Sequence, residues 1–370
     1  MKDRLLVATR KGLFILHRLG DGHWQPTPTQ FMGEPVTAVL ADLRDDTLYA
    51  ALNLGHFGVK LWRSRDGGQE WEACAVPLYP PQPAAGTPPP VPDQPPPAPW
   101  SLQQIWVLEA GGADEPGVLW AGTLPGGLFR SADGADSWAL NRALWDRPER
   151  SRWFGGGYDT PGIHSICVDP RGSRHLTLAV SCGGVWQTFD GGLDWVCTTT
   201  GMHADYMPPE RRDDSAIQDP HRLAQCMGQP EAMWVQHHNG IFRSIDGGHH
   251  WHEVHAGPSS FGFAVAAHPQ QPDTAWFVPA VKDECRIPVD ARLVVTRTRD
   301  GGRSFEVLSD GLPPVPAYDL VYRHGLAVDD SGERLAMGST TGGLWISENG
   351  GDQWQCVSAR LPPIYCVRFG

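Results

Sequence analysis

The chain reads as an all-β fold, a seven-bladed propeller with four-stranded blades. Three observations predict it. A Ser-x-Asp-x-Gly-x-x-Trp turn recurs in seven copies, short apolar stretches flank each copy, and the two chain ends are complementary pieces of one unit. Successive turns lie 47, 67, 57, 56, 54 and 49 residues apart, the period range of stacked or radial repeats.

The best copies are Ser64/Asp66/Gly68/Trp71 and Ser244/Asp246/Gly248/Trp251. Thr188/Asp190/Gly192/Trp195 follows closely. In Ser131/Asp133/Trp138 an Ala135 replaces the second glycine. Thr298/Asp300/Gly302/Phe305 changes the aromatic, Ser347/Asn349/Gly351/Trp354 changes the acid, and His17 to Trp24 is a degenerate copy. The chemistry is local: the carboxylate accepts backbone N–H groups just ahead, and glycine supplies positive φ. The ring then opens the next strand and buries a large apolar surface. The ordinary role of such an Asp is therefore to form the turn, not to catalyse.

Before each turn lies a short strand such as Lys60-Leu-Trp or Gly240-Ile-Phe, and before that a second, such as Leu176-Thr-Leu-Ala-Val-Ser. A third precedes both, for example Ile163-His-Ser-Ile-Cys-Val. With the strand opened by the Trp, each repeat holds four strands, A to D, which is one blade. Arg4 to Thr9 reads as a B strand without an A, and Ile364 to Phe369 as an A without a B. One completes the other, so no sheet edge stays open. The expected organisation is a single domain over residues 1–370, with a Pro-rich loop insert at 77–99 and loop inserts at 139–161 and 198–220.

Composition narrows the function classes. A formal charge of −12 with no basic run argues against nucleic acid or an anionic membrane as partner. The opening stretch is used as strand, without a leader-like apolar core, and no stretch approaches membrane-spanning length. Eight cysteines occur singly, without CxxC pairs, so reduced thiols and a cytoplasmic location are expected.

Aligning the A strands on their apolar cores sets one position at the start of each innermost strand: Thr37, Gln104, His164, His221, Phe263, His324 and Tyr365. Inner strands line the central channel, so imidazoles 164, 221 and 324 are expected to converge near its axis. Three neutral imidazoles form a ligand set for a divalent metal ion such as Zn, Fe, Mn or Cu. A wet, polar channel lining without a ligand is the plainer reading. Tyr365, Arg222 and Arg323 join the histidines as candidate catalytic groups, and Gln104 as a substrate contact. The D-to-A and B-to-C loops share that face and add Trp153, His203, Asp205, Tyr206, His237, Arg10 and Lys11, taken singly ordinary solvated loop residues. Together they describe a pocket for a polar or anionic small molecule.

The repeated turns resemble those of the Asp-box, or bacterial neuraminidase repeat (BNR), propellers, over nearly the whole chain. The KGLF start and seven short repeats are similar to bacterial BNR-like proteins often labelled exo-sialidase or glycosyl hydrolase. That resemblance implies the propeller fold, but the superfamily spans glycosidases, assembly factors and receptors. Sialidases of the group are six-bladed, hold the substrate carboxylate with three arginines, and carry a Phe/Tyr-Arg-Ile-Pro motif near the N-terminus. Here Arg286-Ile287-Pro288 follows Cys285 in a late loop, and Arg222 and Arg323 lack an evident third partner. Sialidase activity is therefore not expected. The expectation is a site at the channel mouth for a polar or anionic ligand, with hydrolase or lyase chemistry; the alternative is a non-catalytic propeller that binds a protein or peptide.

Overall fold

The computed structural model describes residues 3–82 and 100–370. Among them the chain forms seven four-stranded antiparallel sheets arranged as propeller blades. Blade 1 has the order Ile364–Phe369, Arg4–Thr9, Gly12–Arg18, Trp24–Pro26, so the last strand is the inner strand of the first sheet. Six further blades follow in chain order, with inner strands Val36–Ala41, Gln104–Ala110, Ile163–Val168, Pro220–Gln225, Gly262–Ala267 and Leu326–Val328.

The turns show why their residues recur. In blade 2, Ser64 Oγ donates to Asp66 Oδ1 at 2.7 Å and accepts from Gly68 N at 2.8 Å. Asp66 Oδ1 accepts from the backbone of Gln69 and Glu70 at 2.9 and 3.0 Å. The same bonds repeat around Asp133, Asp190, Asp246, Asp300 and Asn349. Position 135 has φ +76°, which is why glycine fills it elsewhere. The following Trp rings pack between blades: Trp195, Trp251 and Trp354 are each at most 3 % exposed. Trp251 Nε1 donates to Thr198 O of the preceding blade at 2.9 Å.

The inner strands depart from regular ladders at one place. Register shifts leave Thr37, Trp106, His164 and His221 unpaired, another falls at Phe263–Ala264, and another at Tyr365. These are bulges, which re-aim a side chain out of the strand's alternation. Apart from His324, which lies just before the blade 7 inner strand, the polar ring read from the sequence follows this row of bulges. In blade 3 the equivalent residue is Trp106, two positions beyond the expected Gln104.

The insert at 139–161 is built structure: strand Ala139–Leu140, a short helix Arg142–Trp145 and a 3-10 turn Pro148–Arg152. Most of the Pro-rich insert lies outside the described residues. Its first part is anchored, with the Tyr79 ring 5.0 Å from those of both Phe129 and Trp145. Among the described residues no helix is long and apolar enough to cross a membrane. All eight cysteines are unpaired.

Candidate functional site

Two cavities open at opposite ends of the channel, of about 1080 and 720 Å³. Trp106 and His324 line both, and so form the partition between them. The larger cavity gathers Gln104, Tyr206, His221, Arg323, His324 and Tyr365 from the predicted set.

The remaining predicted residues sit elsewhere, and the expected convergence of three imidazoles is corrected. His164 is fully buried, with Nδ1 on Ser165 Oγ at 2.9 Å and Nε2 on Pro220 O at 2.7 Å, so neither nitrogen is left for an ion. His324 Nε2 bonds across the channel to His164 O at 2.7 Å. Thr37 Oγ1 likewise reaches Ile105 O at 3.1 Å, and His221 Nδ1 reaches Gly262 O at 2.7 Å. Thr37, His164, His221 and His324 thus each satisfy a carbonyl of another inner strand, which buried backbone requires. The ring is first of all a lacing of the blades. Burial, with help from the nearby cations, holds His164 and His324 well below the ordinary histidine range, hence neutral.

Arg222 belongs to the opposite mouth: it lines the smaller cavity, and its guanidinium donates to His164 O at 3.2 Å. Trp153 is a core residue, 6 % exposed, with its ring 5.7 Å from that of Trp186. His237 is buried behind the cavity, its ring nitrogens against the backbone N–H groups of Asp219 and Asn239. His203 stands 3.6 and 3.7 Å from Asp205 and Glu253, while Arg212 holds Asp205 at 2.8 Å. Arg10 and Lys11 are exposed in the turn between the first two strands.

The centre of the larger cavity is made instead by residues that the strand alignment passed over. Asp219, one residue before the blade 5 inner strand, is 3 % exposed. Its Oδ1 accepts from Cys182 N at 3.1 Å; its Oδ2 faces His221 Nε2 at 3.4 Å and His238 Nδ1 at 3.5 Å. Burial opposes its charge, yet His221, His238 and Arg323 hold the carboxyl well below the usual range. Burial likewise works against the His238 cation, but Asp219 beside it carries the net shift upward. His221 goes the other way: burial outweighs Asp219 and lowers it.

Phe263 is the platform under the cationic side. His221 stacks on it with centroids 4.6 Å apart and 12° between planes. Arg286 lies 5.4 Å and Arg323 5.7 Å from its centroid. Arg286 is anchored, donating to Asp283 Oδ1 at 2.7 Å and to Tyr322 Oη at 3.5 Å. Arg323 is not. It is 7 % exposed and lies 4.9 Å from the Trp106 centroid, and its Nε has no partner. Among the described residues no hydrogen bond or ion pair holds its guanidinium.

No family model matches the chain. A probable oligoxyloglucan-reducing end-specific xyloglucanase of Neosartorya fischeri is 24 % identical over 290 residues, 69 % of this chain and 32 % of that protein. The chain thus spans about a third of that relative's length. Among solved structures, an ancestral GH74 enzyme superposes with a TM-score of 0.60 at 17 % identity, covering 87 % of this chain and 38 % of the other. YCF48 bound to D1 peptide gives 0.52 at 16 %, covering 87 % and 82 %, and YCF48 from Cyanidioschyzon merolae gives 0.54 at 13 %, covering 92 % and 90 %. Likeness at these identities shows the propeller fold alone.

Proposed function

We propose that this propeller, of the Asp-box type by its turns, binds a small carboxylate-bearing molecule in the larger channel-mouth cavity. The observation that carries the reading is Arg323. Its Nε is buried without an acceptor, which costs about 1–3 kcal/mol, and the rest of the guanidinium lines the cavity with no protein partner. A ligand carboxylate arriving there supplies the missing acceptor in the two-pronged geometry arginine favours. Arg286 adds a second cation across Phe263, and Trp106 and Tyr206 give apolar walls for the rest of the ligand.

Hydrolase or lyase action on that ligand is the catalytic extension of the reading. It differs from a two-carboxylate glycosidase, which needs one carboxyl held protonated near neutral pH. Asp219 is held the opposite way. The rival reading is a peptide partner, as in the neighbouring YCF48 complex, which would present a C-terminal or acidic side-chain carboxylate to the same arginine. Eight unpaired cysteines support a reducing, cytoplasmic setting.

Thermal-shift titration tests this with a panel of uronic, hydroxy- and dicarboxylic acids, each beside its neutral amide. At least one acid should raise the melting temperature of wild type more than its amide does. Arg323→Met should lose that gain. Equal stabilisation by acid and amide, or full retention in Arg323→Met, would overturn the reading. Acidic peptides as a parallel panel separate the rival: stabilisation by peptides alone would favour it.

A further inference from the structure

We propose that Asp219, His221 and His238 form a binding site for one divalent first-row transition-metal ion, open to the larger cavity. The site stands independently of the carboxylate reading, since it uses none of the arginines.

The three residues offer ligand atoms that all lie within 4.8 Å of one another. The Asp219 Oδ2 separations are 3.4 Å to His221 Nε2 and 3.5 Å to His238 Nδ1. Both are long for a charge-assisted hydrogen bond, which closes to about 2.7–2.9 Å. They suit shared coordination: two donors each about 2.0–2.1 Å from one ion at a tetrahedral angle sit roughly 3.4 Å apart.

The tautomer of His221 supplies an independent argument. Its Nδ1 faces Gly262 O at 2.7 Å, and a carbonyl oxygen only accepts, so Nδ1 carries the hydrogen. Nε2 is then the nitrogen left for a ligand, and it faces a carboxylate oxygen on a side chain 3 % exposed. At 3.4 Å the two atoms leave the place of a cation between them, which a proton or a metal ion would fill. An N–H donated to a carbonyl is also the usual outer-shell arrangement for a metal-binding imidazole, because it fixes the ring and raises its basicity. Asp219 is oriented in the same manner, Oδ1 accepting from Cys182 N at 3.1 Å and from Ser181 Oγ at 3.5 Å. Two imidazoles and one carboxylate suit zinc or iron(II), not magnesium or calcium, and leave positions open for a ligand.

Cobalt(II) is the probe. Full-length, tag-free protein, stripped with chelator and dialysed, is titrated while its visible d–d bands are followed. Wild type should bind one equivalent, displaced by zinc. His238→Ala, at a half-buried position, should weaken binding by at least about 100-fold, beyond the loss typical of outer-shell changes. Asp219→Asn should do the same, with far-UV circular dichroism checking both folds. His203→Ala, a neighbouring histidine outside the group, should bind as wild type. Failure of the Arg323 test with retained cobalt would reject the carboxylate reading alone. No stoichiometric bands in wild type, or unchanged affinity in His238→Ala, would overturn the metal site.

Discussion

Arg323 and Trp251 show what single side chains do in this fold. One guanidinium lies over two rings with its Nε buried and unpartnered; one indole is buried and donates to the blade before it. Truncating Trp251 to alanine removes a fully packed aromatic and should cost about 3–5 kcal/mol. A urea midpoint equal to wild type would contradict that. Asp246→Asn should be milder, because Asn349 makes the same bonds to the backbone in blade 7, with Ser347 Oγ 2.9 Å from its Oδ1. Residue identity was legible where local chemistry sets it, as in the turns. It was not legible for Asp219 or His238, which sit in loops and look like any other polar loop residue until blades 4, 5 and 6 bring Cys182, His221 and Phe261 beside them.

The turn and the bulge are the elements that matter. The turn carboxylates Asp133, Asp246 and Asp300 are held down to about 2. The causes differ in order: a serine hydroxyl and backbone N–H groups for Asp133 and Asp300, and for Asp246 the His250 and Ser244 bonds overcoming burial. Depressed folded values stabilise the fold fully above the unfolded value of 3.8, and that contribution is lost as pH falls through about 2. The melting temperature should therefore drop steeply between roughly pH 4 and pH 2. Asp246→Asn, with one fewer such group, should drop less over that window; a flat wild-type profile would contradict the turn account. The bulge explains the half-correct reading of the histidine ring. The sequence pattern located the position, but not that a bulged imidazole serves a neighbouring carbonyl, as His164 does for Pro220. Nor could it place blade 3 in phase, since Gln104 and Trp106 sit on the same apolar stretch.

At the scale of the whole molecule, closure ties function to fold. The strand Ile364–Phe369 pairs with Arg4–Thr9, and Arg368 reaches Glu109 of blade 3 at 2.6 Å. Tyr365 of that strand lines the cavity. Removing residues 364–370 should abolish cooperative unfolding and leave the first blade open-edged; a truncated protein melting like wild type would contradict the closed ring. Seven blades were readable because turn count and complementary strands agree independently. The division of the channel into two mouths was not, because it depends on Trp106 of blade 3 and His324 of blade 7, which line both cavities. The claim that an unpaired arginine in the larger mouth awaits a carboxylate is tested most directly by a crystal structure grown with the acid that stabilises most. The account predicts a carboxylate within about 2.7–3.1 Å of the Arg323 guanidinium. A guanidinium paired with the protein itself, with the acid bound elsewhere, would contradict it.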